Sequence, residues 1–295
     1  MKRAPRSTKV APLILMGPVQ FLIFFIAIIP FILEIYLSLT PWSPRLGDIF
    51  QAPFNWGANY AKLITEDYRF LSALGRTALF TATAVTVEFF VGLGLAALVD
   101  REFKGNKAVF IILLVPMMFM PVVVGLNFYM IFQPEGPLNH FLSIITGSPI
   151  RIDWTTSEGT LFLAAILTDA WHWTPFMFLI LLVGLQSVPP NIVNAAKTLG
   201  ASNWSIFKDI KLPMMKRIIL IALVIRAIES TKIFDELIMF AGGRTNYVFE
   251  NISLWTYIIN SQQTLVGYAS SGALLIFILI ILVTLTVVIP LLTRR

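Results

Sequence analysis

Six apolar stretches separated by polar links organise the chain. They run from about Pro12 to Leu39, Thr77 to Val99, Ala108 to Phe132, Leu161 to Leu185, Ile218 to Phe240 and Ser271 to Leu292. A helix needs about 20 mostly apolar residues to cross the hydrocarbon layer of a bilayer, so each stretch predicts one transmembrane span. The runs are continuous rather than alternating, which argues against an outer-membrane barrel. Pro18, Pro30, Pro116, Pro121 and Pro175 fall inside spans. Neighbouring helices can satisfy the carbonyls that such prolines free, so they read as kinks. The pattern predicts an all-α, polytopic membrane protein of about six helices, a single transmembrane domain over residues 1–295.

Composition agrees. Hydrophobic residues make up 57% of the chain and charged residues 13%, against about 25% charged in soluble domains. A chain this apolar needs lipid as part of its solvent. With no cysteine, disulfides and thiolate chemistry are excluded, and two histidines, His140 and His172, are too few for a His-rich metal site. His140 falls in an external link and takes no role.

The net charge of +6 changes the picture through its placement. Lys2, Arg3, Arg6 and Lys9 precede the first stretch, and that stretch far exceeds the 7–15-residue core of a signal peptide, so it reads as an uncleaved helix. Arg101, Lys104 and Lys107 follow the second, Lys197, Lys208, Lys211, Lys216 and Arg217 follow the fourth, and Arg294 and Arg295 end the chain. Basic residues near span ends mark the cytoplasmic side. The opposite links hold fewer basic residues, together with Asp48, Glu66, Asp67, Glu135, Asp153, Glu158 and Glu250. Both termini are expected in the cytoplasm, and Trp42, Trp56, Tyr60 and Tyr68 suit the outer interface. The basic excess is a topology signal rather than a nucleic-acid footprint.

One cytoplasmic link stands out, at about residues 189–213. Pro189 and Pro190 suit a helix start. Ile192, Val193, Ala195, Ala196 and Leu199 then form a short helix, and Gly200 sits where a left-handed cap would end it. A second short helix is expected from about Ser202 to Ile210, capped by Ser202 or Asn203, with Pro213 separating it from the fifth span. Two alanines beside a tight turn would let another protein's backbone come close.

Ala195, Ala196, Gly200, Ile210, Leu212 and Pro213 closely resemble, in identity and spacing, the EAA-type loop of binding-protein-dependent ABC importer permeases. Asn194 stands where that family usually has Glu, which weakens any ion pair from that position to an ATPase. Phe234-Asp235, Gly242-Gly243 and Gly267-Tyr268-Ala269 extend the likeness, and the whole length resembles the sugar-importing branch, of the maltose-F or glycerol-phosphate-A type. The resemblance implies a type I importer permease fold in the inner membrane of a prokaryote. It implies a second, homologous permease, two ATPase subunits and an extracytoplasmic sugar-binding protein as partners. ATP and Mg would be bound by the ATPase subunits, with no cofactor and no catalytic residue in this chain.

Charges inside spans are functional candidates, because each is costly in lipid. The fifth span holds Arg226, Glu229, Lys232, Asp235 and Glu236 on roughly half of its circumference. Such a face lines a pathway, meets a partner, or pairs internally, Arg226 with Glu229 and Lys232 with Glu236. The fourth span holds Asp169, Trp171, His172, Trp173 and Thr174, a mix of hydrogen-bonding groups and flat rings that suits a sugar, although Trp near a span end also serves as an interface anchor. Glu34 and Glu88 read as snorkelling or helix-packing residues. No phosphate-binding G-x-x-x-x-G-K-[ST] loop and no hydrolase or kinase motif occurs. An ion-coupled secondary transporter or an integral membrane enzyme is the competing reading; the first lacks a visible inverted repeat, the second a catalytic constellation.

Overall fold

The computed structural model describes residues 16–100, 103–240 and 248–289. Lys2, Arg3, Arg6, Lys9, Arg101, Gly242, Gly243, Arg244, Arg294 and Arg295 lie outside them, as do the outermost residues of the first and last apolar stretches.

Among the described residues the regular structure is helical throughout. Helix α1 (Met16–Ser38) leads to α2 (Ala58–Thr65) and the long α3 (Tyr68–Val99). The third apolar stretch is α4 (Asn106–Leu114), a 3-10 turn at Pro116–Met118, and α5 (Pro121–Ile131). Helix α6 (Pro137–Thr146) precedes α7 (Glu158–Gln186). The next link holds α8 (Pro190–Thr198) and α9 (residues 203–214). The fifth stretch is α10 (Lys216–Thr231) and α11 (Asp235–Phe240), and α12 (Ile252–Tyr257) precedes α13 (Val266–Thr286). Helices α1, α3, α7 and α13 are each long and apolar enough to cross a membrane. With the two broken stretches, the chain is an all-α polytopic protein of about six spans.

The third and fifth stretches were expected as continuous helices, and both are interrupted. In the third, Pro116 and Pro121 each lack an N–H, and Pro121 pushes the preceding Met120 out of the helical region, whereas Val115 before Pro116 stays helical. Phe119 and Met120 are accordingly extended. In the fifth, α10 stops at Thr231 and α11 restarts at Asp235. The amide of Asn251 donates to the carbonyl of Ile233 in the gap at 2.6 Å, and Asp235 and Glu236 occupy the first turn of α11, where carboxylates favour the helix dipole. Pro175, by contrast, is buried inside α7 without ending it.

The chain divides into two compact units, Met1–Leu71 with Thr256–Leu279, and Ser72–Trp255 with Ile280–Arg295. In the first, Phe31 of α1 packs edge-on against Phe277 of α13, ring centroids 5.5 Å apart. The buried Asn59 amide donates to the carbonyls of Ser38 and Thr40 at 3.0 and 2.9 Å, and the Gly267 N–H to that of Trp42 at 2.9 Å. Met16, Val19, Phe21, Leu22 and Ile26 of α1 are all exposed, a continuous apolar face that lipid accounts for and water does not.

The second unit has two apolar clusters at different levels. One joins Phe80 and Ala84 of α3, Leu161 to Ile166 of α7 and Leu237 of α11. The other joins Val85, Ala96 and Val99 of α3, Met177 to Leu185 of α7, and Met215 and Ala222. Along α7 and the fifth stretch, Asp169, His172 and Arg226 fall between them.

Candidate functional site

The link between α7 and α10 is built by capping. The N–H of Ala201 bonds the carbonyl of Ala196, and that of Gly200 the carbonyl of Lys197, both at 3.0 Å. This is the two-bond glycine cap, and it needs the left-handed Gly200, φ +83°. Ser202 Oγ then accepts from the Ser205 N–H at 3.1 Å, starting α9. The expected end of this helix at Ile210 and the expected break at Pro213 are both displaced. A π-helical stretch, Ile206–Lys211, runs on through Leu212–Met214, and the break falls at the buried Met215. Pro213 is the next-to-last residue of α9 and does not interrupt it.

Asn194, Ala195, Gly200 and Pro213 are exposed, and Ala196, Ile210 and Leu212 are half-buried. Two apolar residues dominate the surface: Leu199, expected as part of the short helix, is 87% exposed, and Trp204, which sequence reasoning did not single out, is 68% exposed. Trp204 stacks on Phe207 at 5.7 Å. A groove of about 570 Å³ between this link and the end of α3 is lined by Ala97, Asp100, Val193, Lys197, Trp204 and Lys211.

The intramembrane charges fall into two sets. Arg226 is 1% exposed and donates through Nε and Nη2 to the two carboxylate oxygens of Glu88, at 2.6 and 2.8 Å. Its Nη2 also donates to Asp169 Oδ2. Trp173 lies under the guanidinium, 5.0 Å from ring centroid to Cζ, in the geometry of a cation–π contact. His172 Nδ1 lies 3.3 Å from Glu236 Oε1, and its Nε2 3.2 Å from the Phe119 carbonyl that the proline break leaves free. Glu88, Asp169, His172, Arg226 and Glu236 are all buried, so this set joins α3, α7, α10 and α11. The second set is open: Lys232 donates to Glu229 at 2.8 Å with both side chains exposed, and Asp235 is half-buried.

The local pairs expected in the fifth span therefore do not form. Arg226 pairs across helices with Glu88 and Asp169 rather than with Glu229, because its fork reaches two buried carboxylates. Lys232 takes Glu229, and Glu236 takes His172, because the break at residues 232–234 rotates α11 relative to α10. Glu88 is a fully buried partner rather than a snorkelling side chain. Trp171, 43% exposed, turns away from Asp169 and packs on Phe119 and Phe128, centroids 6.3 and 5.4 Å away.

Residues 88–295 match the family model described as binding-protein-dependent transport system inner membrane component. The trehalose/maltose transport system permease protein MalF of Thermococcus litoralis is 28% identical over 239 residues, 81% of this chain and 79% of that one. The trehalose transport system permease protein SugA of Mycobacterium tuberculosis is 32% identical over 220 residues, 74% and 69% of the two chains. Among solved structures, a chain of a bacterial alginate ABC transporter, crystallised with an alginate pentasaccharide-bound periplasmic protein, superposes with a TM-score of 0.78. It covers 94% of this chain and 93% of that one at 20% identity.

Proposed function

The chain belongs to the family of binding-protein-dependent transport system inner membrane components, the multi-pass transmembrane subunits of ABC importers, and from that premise we propose that it forms half of the translocation pathway for a sugar or glycosyl compound. The sugar class is supported by the trehalose and maltose systems named for its relatives. A second, homologous permease supplies the other half, and an extracytoplasmic sugar-binding protein delivers substrate. Two cytoplasmic ATPase subunits bind ATP and Mg and perform the hydrolysis, one of them docking on residues 189–213. Both termini face the cytoplasm. ATP binding draws the docking loops together and opens the pathway outward, acting only through contacts that differ between the two states.

The observation that carries this reading is the link itself. The glycine-capped helix exposes Asn194, Ala195 and Leu199 at its end, the next helix exposes Trp204, and large exposed apolar side chains of that kind mark an interface. In the pathway, the exposed Glu229, Lys232 and Trp171 and the half-buried Asp235 form the wall. Asp169, His172, Trp173, Arg226 and Glu236 hold that wall in place. Membrane lipid covers the exposed face of α1.

The docking loop is tested by Gly200→Val and Ala196→Asp. A left-handed β-branched residue costs about 1–2 kcal/mol or more, while no atom of the fold lies within 4 Å of an added Cβ at Gly200, so the permease should still insert. Both variants are expected to lose ATPase on co-purification or to hydrolyse ATP without sugar uptake, while Asn194→Glu, a change toward the family pattern, is tolerated. Normal uptake from a maltose and trehalose panel by both variants would reduce the loop to a mere link. Co-purification of wild-type chain with neither an ATPase nor a second permease would favour a self-sufficient transporter.

Orientation has its own check. Reporter fusions after Lys107 and Lys211 are expected to read cytoplasmic, and fusions near Asp153 and Asn251 external. An external signal at Lys211 places the loop on the wrong side for any ATPase.

A further inference from the structure

The docking loop is continuous with only two spans: it leaves α7 at Gln186 and enters α10 at Lys216. Helix α3 has no covalent neighbour in the loop, since the chain after Val99 proceeds to α4. Besides the apolar cluster that Ala96 and Val99 share with Phe207, Leu212 and Met215, a polar contact across 111 residues of sequence joins the two. Lys211 Nζ donates to Asp100 Oδ2 at 2.5 Å, with the two side chains only 18% and 17% exposed. That burial screens the pair less than a surface salt bridge.

The position of Asp100 makes the cation necessary. Its N–H bonds the Ala96 carbonyl at 2.8 Å, so the carboxylate stands at the C-terminal end of α3, where the helix dipole disfavours negative charge. Lys211 offsets that repulsion and points the last turn of α3 at the loop. Twelve residues earlier, about 18 Å along the same helix, Glu88 takes the fork of Arg226 in α10, and Arg226 also reaches Asp169 in α7. Helix α3 is thus fixed to α7 and α10 in mid-membrane and to the loop at its end.

We propose that Asp100 and Lys211 form a strut that makes α3 move with the docking loop, so that a displacement of the loop by the ATPase is delivered to three spans instead of two. Asp100 is a positioning residue. The proposal rests on the ATPase-docking reading of the loop and adds a mechanical path to it. Without the strut, the loop and α10 shift while α3 lags.

The chain has no cysteine, so spin labels attach only where cysteines are introduced. In the full complex, labels at Phe90→Cys and Lys208→Cys, both exposed positions, report the separation of α3 and the loop by pulsed electron resonance, without nucleotide and with Mg-ATP and vanadate. The separation is expected to stay constant on this background and with Lys211→Arg. With Asp100→Asn or Lys211→Gln it should change between the two states by about 2 Å, the size of ordinary helix shifts. The charge swap Asp100→Lys with Lys211→Asp restores constancy, a rescue that loss of packing would not give. The same single variants should still co-purify with the ATPase but transport about fivefold less sugar per ATP hydrolysed, at the low end of allosteric coupling energies. An unchanged separation in both single variants, or a swap no better than either, overturns the strut alone. Absence of ATPase from the wild-type complex overturns the docking reading and the strut with it.

Discussion

Arg226→Met should be among the most destabilising single substitutions in this protein. It removes the one guanidinium held between Glu88 and Asp169, and leaves two fully buried carboxylates without their donor. Removing one partner of a buried pair costs about 3–5 kcal/mol, most of it from the charge left behind. Arg226→Lys should be intermediate, because an ammonium cannot make the bidentate fork to Glu88 that Nε and Nη2 make together. The triple variant Glu88→Leu, Asp169→Leu, Arg226→Met separates charge imbalance from lost packing. It should recover most of the stability, since buried ion pairs replaced whole by apolar groups are often neutral or better. Thermal unfolding in detergent, followed by size-exclusion of the purified chain, reads all three. A single variant as stable as wild type would show that the carboxylates are solvated by some route other than Arg226.

Gly125→Val should be nearly as severe for a different reason. Helix α5 lies against α11 so closely that a Cβ at Gly125 would stand 2.8 Å from Glu236 Cα and 3.1 Å from Met239 Cβ. The first of these is backbone and cannot rotate aside. Overpacking of this kind costs about 1–3 kcal/mol or more, and the relief available is to displace α11. That displacement carries Glu236 away from His172 and frees the Phe119 carbonyl's partner. The variant is expected to melt early and to lose sugar uptake, with Gly125→Ala showing the same defects more weakly. Full uptake by the valine variant would mean that α5 and α11 are further apart during transport than they are here.

Much of this was legible in the chain because its signals are local. Span count follows from runs of apolar residues, and the loop follows from Pro189, Gly200 and Ser202, whose capping chemistry acts within one turn. The prolines marked where the third span would bend, although hydropathy alone extends a helix straight through Pro116 and Pro121. The charges were harder. Mid-membrane cost singles out Glu88, Asp169 and Arg226 one at a time, but the partner of Glu88 stands 138 residues away, and helical spacing offers only neighbours three or four residues off. The local pairs Arg226–Glu229 and Lys232–Glu236 are reasonable on that basis and do not form. Asp100 with Lys211 is a second case: each looks like an ordinary charge at a membrane edge until the fold brings them together. The exposure of Leu199 and Trp204 was invisible for the opposite reason, since apolar residues in a short amphipathic helix are normally its buried side.

The seal around Arg226 bears on how the protein is made. A lone charge near the centre of an inserting helix costs about 2.5–3.5 kcal/mol, and α3 carries Glu88 into the membrane long before α10 exists. At about 5–20 residues per second, the 138 residues between them take roughly ten seconds to synthesise. For that interval Glu88 has no guanidinium to meet, and Asp169 arrives as a second carboxylate before the cation does. The ion cluster is therefore completed last, by the entry of the fifth span between helices already in place. Until Arg226 emerges, α3 and α7 each carry a carboxyl group whose cation has not yet been made.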